Sequence, residues 1–166
     1  MSHQKWSDDQ EYLDCVQDLL AQPAVQKLAN YTQHHHSTRL DHSISVSYRS
    51  YLLGKKWHLN VRALARAGLL HDLFYYDWRV TKFSLGTHAF IHPRIALRNA
   101  EKLTDLSAME KDIIIKHMWG ATLGMPKYKE TVVVSLVDDY AAVDEYLMPQ
   151  LHKLAHPFHR LEHAHE

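Results

Sequence analysis

Between residues 8 and 147 the apolar residues of this chain recur at intervals of three and four, and almost nowhere in strict alternation. That spacing fits the 3.6-residue turn of a helix and not a half-buried strand, so an all-α chain is expected. Breakers are few, with five Gly and five Pro. Two helices are expected over 8–20 and 22–34, where Pro23 suits a first helical turn. A third over 41–56 stops near Gly54. Asn60 is an N-cap for a fourth, from Val61 to about Tyr76. The stretch "VTKFSLGTHAFI" reads as a loop carrying His88, and Pro93 opens the helix "PRIALRNAEKL". Ser107 and Glu110 form a capping box ahead of "KDIIIKHM", and a last helix spans 129–147. No repeat or linker divides the pattern, so one domain is expected.

Composition excludes several partners. Lys and Arg (19) balance Asp and Glu (19), giving zero formal charge and no extended nucleic-acid surface. No apolar run approaches a membrane span, and "MSHQKWSDDQEY" is too polar for a secretory signal. A single Cys15 fits a reducing compartment, and a cytoplasmic location is expected. Histidine is the outlier at 15 residues, five of them in the last 15 and three consecutive at His34–His36. Neither tract supplies a carboxylate at defined spacing, so both read as solvated segments.

One segment resists a purely structural reading. "GLLHDLF" places His71 and Asp72 side by side in an apolar run without a Lys or Arg. With 15 His and 12 Asp in 166 residues, chance supplies about one such dipeptide, so its setting carries the information. On a helix His71 shares the face of Leu64, Ala67 and Gly68, whose small residues admit a close neighbour. An unpaired carboxylate there shifts its pKa upward or takes a cation. Imidazole and carboxylate are ordinary ligands of transition metals. Other ligands must come from other helices. His117 continues the Met109–Ile113 stripe, His42 opens its helix, and His92 precedes Pro93. In "VVVSLVDDYAAVDEYL", Asp139 flanks the Leu136–Tyr140–Val143 stripe, whereas Asp138 lies beside small Ala residues. Periodicity slightly prefers Asp139 as the inward one.

At "RLDHS … LLHD … HP … KHMW … LVDD" the sequence resembles the HD-domain superfamily of metal-dependent phosphohydrolases, over roughly residues 39–147. The resemblance implies an all-α domain of about seven to eight helices, with N-terminal helices in 1–38 and a His-rich tail in 148–166. It selects Asp138 over Asp139 and implies one metal on His42, His71, Asp72 and Asp138. Members with two further His bind a second metal, here implied on His92 and His117 with Asp72 bridging, and His88 is an alternative to His92. Met118 stands where some binuclear members have another His. Tyr75 stands three positions after the Asp, where members acting on nucleoside monophosphates often carry an acid. The implied cofactors are two divalent ions, Fe or Mn first, with Zn, Ni or Mg as alternatives. The implied activity is hydrolysis of a phosphate monoester or diester, of a nucleotide-like small molecule, by metal-activated water. Asp72 is then the catalytic centre, and Arg39, Arg94 and Lys116 adjoin ligands and are expected to contact phosphate. Di-iron oxygenases of the same ligand order and a non-catalytic metal-stabilised module are the alternatives. A homo-oligomer is compatible with the chain.

Overall fold

A computed structural model describes residues 5–34, 37–84 and 86–155, with the side chains of residues 34 and 148–155 excepted. Seven α-helices and one small hairpin make up the described fold. Helix α1 (Gln10–Leu20) is capped by Asp9, whose side chain accepts from the Tyr12 N–H, and it buries Tyr12, Cys15, Val16 and Leu19. The helix expected over 22–34 is largely absent. Only α2 (Pro23–Gln26) and a 3-10 turn (Lys27–Asn30) form, followed by β1 (Thr32–His34) paired antiparallel with β2 (Ser37–Thr38). Tertiary bonds override propensity here, because Gln33 is tied to both Arg39 and Asp72.

Helix α3 (Arg39–Trp57) begins two residues earlier than expected, on a capping box between Thr38 and Asp41. It ends with His58 in the left-handed region at φ 54°. Helix α4 (Val61–Leu70) starts on the Asn60 cap as expected, and every residue from Ala63 to Leu70 is buried. It is the central element, packed against α1, α3, α5 (His88–Ala100), α6 (Ala108–Lys116) and α7 (Lys129–Ala155). One apolar cluster runs from Tyr12 through Leu64, Leu70 and Ile113 to Ala141, so helices from both ends of the chain share a core. No described helix is long and apolar enough to cross a membrane.

Two helix ends differ from expectation in a way that shapes the site. Helix α4 stops at Leu70 rather than near Tyr76, leaving His71 as its C-cap. Helix α5 starts at His88, so Pro93 is inside a helix and His92 is a helical residue rather than a cap. The Ser107–Glu110 box opens α6 as expected. Helix α7 runs on past 147 to Ala155, taking in part of the tail, whose residues 156–166 lie outside the described set.

The close neighbour anticipated beside Gly68 is α3. A Cβ at Gly68 would lie 2.9 Å from the Ser47 Cα, against backbone. The same contact carries a bond from Ser47 Oγ to the Ala65 carbonyl (2.6 Å) and one from the Tyr12 hydroxyl to Ser47 Oγ (2.8 Å). Gly68→Ala should therefore force α3 and α4 apart and cost roughly 1–3 kcal/mol by overpacking, despite alanine's better helix propensity. Chemical denaturation will read this directly; an unchanged or raised midpoint would show that the interface can yield.

Candidate metal centre

Two of the expected ligands terminate helices by the same device. His71 caps α4 and His117 caps α6, and each ring donates its Nδ1–H to the carbonyl three residues back, Gly68 (2.7 Å) and Ile114 (2.9 Å). The side chain thus satisfies a last-turn carbonyl that a continuing helix would have used. Two helix C-termini consequently end at one point, and their partial negative charge favours a cation there.

The other two rings are held likewise. His92 on α5 places Nδ1 against the His88 carbonyl (2.9 Å), and His42 on α3 places Nδ1 3.0 Å from Glu145 on α7. All four Nδ1 atoms face acceptors, so the neutral rings carry their proton on Nδ1 and present Nε2 as a lone pair. These four Nε2 atoms converge. His42 Nε2 lies 2.9 Å from Asp138 Oδ1, and His71 Nε2 lies 3.5 Å from the same oxygen and 3.8 Å from Asp72 Oδ2. Asp72 Oδ1 is 3.3 Å from His92 Nε2 and 3.8 Å from His117 Nε2.

The donor set fits a cation on two counts. His71 Nε2 is fully buried without a hydrogen-bond partner. His92 Nε2 and His117 Nε2 are 2.7 Å apart, two lone pairs facing each other, which a shared proton or a cation must reconcile. The ligand atoms of His42, His71 and Asp138 lie within 4.8 Å of one another, and so do those of His71, Asp72 and His117. These two groups share His71, whereas the two-metal expectation shares Asp72. An imidazole nitrogen has one lone pair and a carboxylate has two oxygens, so only Asp72 is chemically able to serve both.

The electrostatics divide the cluster. Burial pushes His42 down, but hydrogen bonds to Asp138 and Glu145 overcome it and raise the ring to about 10. His71 is also raised, Asp72 and Asp138 outweighing its burial. His92 falls to about 3, because burial dominates and His117 and His88 reinforce it against Asp72. His117 falls for the same first reason, with His71 adding to it. Burial opposes the charge of Asp72 and Asp138, yet the surrounding rings hold both carboxylates well below their usual range.

A pH optimum for the metal-free fold follows from these directions. His42 stabilises fully below its unfolded value of 6.5 and loses that contribution as pH rises toward 10. His92 stabilises above 6.5 and loses that contribution as pH falls toward 3. Thermal melts of the metal-free protein should therefore peak near pH 6.5 and decline on both sides. A Tm rising steadily from pH 6 to 9 would contradict the assignment. Metal uptake at pH 7 should release protons, visible as a binding enthalpy that depends on the buffer.

A cavity of about 170 Å³ opens on His42, Asp72, His92 and Asp138, with Trp78 and Met118 among its apolar lining. Asp139 also lines it but stands more exposed, its carboxyl raised by burial and then by Asp138. His88 lines it too, with Nδ1 3.1 Å from the Tyr76 hydroxyl and its ring stacked on His92. The histidine nearest Asp72 Oδ1 is therefore His92.

The three expected phosphate contacts are placed elsewhere. Arg39 is fully buried and donates from Nε to Gln33 (2.9 Å) and from its terminal nitrogens to the Phe74 (2.8 Å) and Tyr76 (3.3 Å) carbonyls. Arg94 is exposed and lies over the Phe90 ring, and Lys116 pairs with Asp112. Among the described residues no Arg or Lys lines the cavity.

Two residues escaped the sequence reading. Gln33 donates from Nε2 to Asp72 Oδ2 (2.8 Å) while its carbonyl oxygen takes Arg39. Glu145 holds His42 Nδ1 and also accepts from Ser37. Such outer partners orient a ligand ring and fix its tautomer. Only the seven-residue step from Asp138 to Glu145, which returns to one helix face, hints at the latter.

A family model described as HD domain matches residues 39–143. No curated protein and no solved structure matches the chain.

Proposed function

The chain belongs to the HD-domain family, generally metal-dependent phosphohydrolases, and from that membership we propose that it hydrolyses a small phosphate ester at a two-cation centre. His42, His71, Asp72 and Asp138 would hold one cation, and Asp72, His92 and His117 the other. Divalent cations held there would lower the pKa of bound water toward neutrality and offset phosphoryl charge. The observation that carries this reading is the pair of Nε2 atoms of His92 and His117 at 2.7 Å, beside the buried Nε2 of His71, which faces Asp138 and Asp72 oxygens at 3.5 and 3.8 Å without a hydrogen bond.

The chain's own residues have definable parts. Glu145, Gly68, His88 and Ile114 hold the four Nδ1 protons and keep every Nε2 aimed inward. Gln33 fixes the Asp72 carboxylate, so its oxygens need no rearrangement to receive a ligand. With no Arg or Lys among the described lining residues, phosphate charge is left to the cations and the substrate's organic part to Trp78 and Met118. An aromatic wall of that kind suits a nucleotide base or another flat group.

The test begins with elemental analysis of the protein as purified. A panel of phosphate monoesters and diesters is then offered with Mn, Fe, Ni, Mg or Zn, in air and anaerobically. Close to two metals per chain and phosphoester hydrolysis, lost with chelator and restored by metal without oxygen, are expected. Turnover that requires oxygen would replace the hydrolase reading with an oxygenase. Tight metal without turnover of any ester would leave a metal-stabilised module.

A further inference from the structure

We propose that the outer faces of α3 and α7 form a docking surface for a second copy of this chain. On α7, Leu136, Tyr140, Val143 and Leu147 are 59%, 58%, 54% and 44% exposed. Their spacing of four, three and four is that of a helix–helix seam, but here the seam faces outward. Alongside it on α3 stand Leu52 (44% exposed) and Trp57 (52% exposed). Between the two helices lies a groove of about 550 Å³, with Leu53, Val133 and Val137 in its floor.

The size of this face argues for a protein partner of the same class as itself. Two aromatics and four aliphatics about half exposed amount to roughly 600 Å² of apolar surface. That is at the upper limit of the largest patch on a typical monomer and close to the ~800 Å² each partner contributes to a stable interface. The chain's own tail offers much less. Residues 156–166 contain only Phe158 and Leu161 as large apolar side chains, among four histidines. A second copy supplies an identical stripe, and a two-fold arrangement lays stripe on stripe without requiring any new surface.

The docking face also leaves the metal centre open. At 100° per residue, Asp138 and Glu145 lie about half a turn round α7 from the Leu136–Leu147 stripe. On α7 the partner would thus lie against the side opposite to Asp138, and on α3 Leu52 and Trp57 stand ten and fifteen residues along the helix from His42.

Sedimentation of the full chain tests this. A dimer with micromolar or tighter affinity is expected, and Leu136→Glu with Val143→Glu should sediment as a monomer with unchanged helical content. Both positions are exposed, and single substitutions that weaken the dimer at least tenfold would serve if the pair lowers solubility. A wild-type monomer at about 100 μM, some hundredfold above a micromolar Kd, overturns the proposal. So does a dimer that survives both substitutions. Should removal of residues 156–166 convert a wild-type monomer into a dimer, the groove belongs to the tail instead.

Discussion

Asp72→Ala protein is expected to fold, to bind at most one cation and to lose phosphoester hydrolysis by more than about a thousandfold, roughly 4 kcal/mol of transition-state stabilisation. In the proposed centre every other ligand would serve one cation and Asp72 alone would serve both, with Oδ1 at 3.3 Å from His92 Nε2 and Oδ2 at 3.8 Å from His71 Nε2. The substitution also strands the Gln33 amide, which donates to Oδ2 at 2.8 Å. Asp72→Asn separates these effects, because it can still accept from Gln33 while removing the charge. Metal content and turnover should fall equally in the two variants, with the Asn protein melting closer to wild type. Wild-type hydrolysis by a folded Asp72→Ala protein would remove the cluster from the chemistry.

Arg39→Ala should cost about 3–5 kcal/mol of stability, the sum of acceptors left without a donor and a void where the guanidinium packed. The guanidinium is fully buried, stacks 3.6 Å from the Phe74 ring centroid, and supplies donors to Gln33 and to the Phe74 and Tyr76 carbonyls. Its loss leaves two buried acceptors and one part-buried acceptor short and opens a void beside Phe74. In a chain of this size that corresponds to a fall in Tm of roughly 10 °C. Because Gln33 would lose the bond that orients its amide, metal affinity should weaken as well. Arg39→Lys recovers part of the loss at most, since an ammonium cannot reproduce the planar fork. A phosphate-binding role predicts a different outcome, in which KM rises and Tm stays put. Measuring both on one variant decides between them.

The contrast between Arg39 and Asp72 shows where sequence reading stops. The sequence placed both in the site and both are buried, but only the packed chain shows that Arg39 meets neutral acceptors while Asp72 meets imidazole nitrogens. The hairpin is a similar case. Nothing local in "YTQH" outweighs a helical reading, yet Thr32–His34 form β1, where Gln33 reaches Asp72, 39 residues away. Helix α4 ends early because the His71 ring takes a backbone carbonyl, and no breaker residue marks that event.

The choice between Asp138 and Asp139 is more instructive. Periodicity pointed to Asp139 because it follows the Leu136–Tyr140–Val143 stripe as the one that faces the core. That stripe is exposed, and the buried side of α7 carries Val134, Val137 and Ala141 instead. An apolar stripe reports that a surface avoids water, and does not say which surface covers it. The resemblance to the family, which registers the motif and not the stripe, selected the residue that the fold brings to His42.

What the sequence by itself determined is most of the helices, apart from the one expected over 22–34, and the residues proposed as ligands. The 3.6-residue period, the Asn60 and Ser107 caps and the ordered His, His-Asp, His, His, Asp pattern are all local or linear properties. Tertiary structure alone decided which atoms meet. The four Nδ1 atoms face acceptors from Gly68, His88, Ile114 and Glu145, and the four Nε2 atoms are thereby turned to one place. That convergence involves five helices, and the direction of a ring is set by hydrogen bonds and packing that no single segment contains.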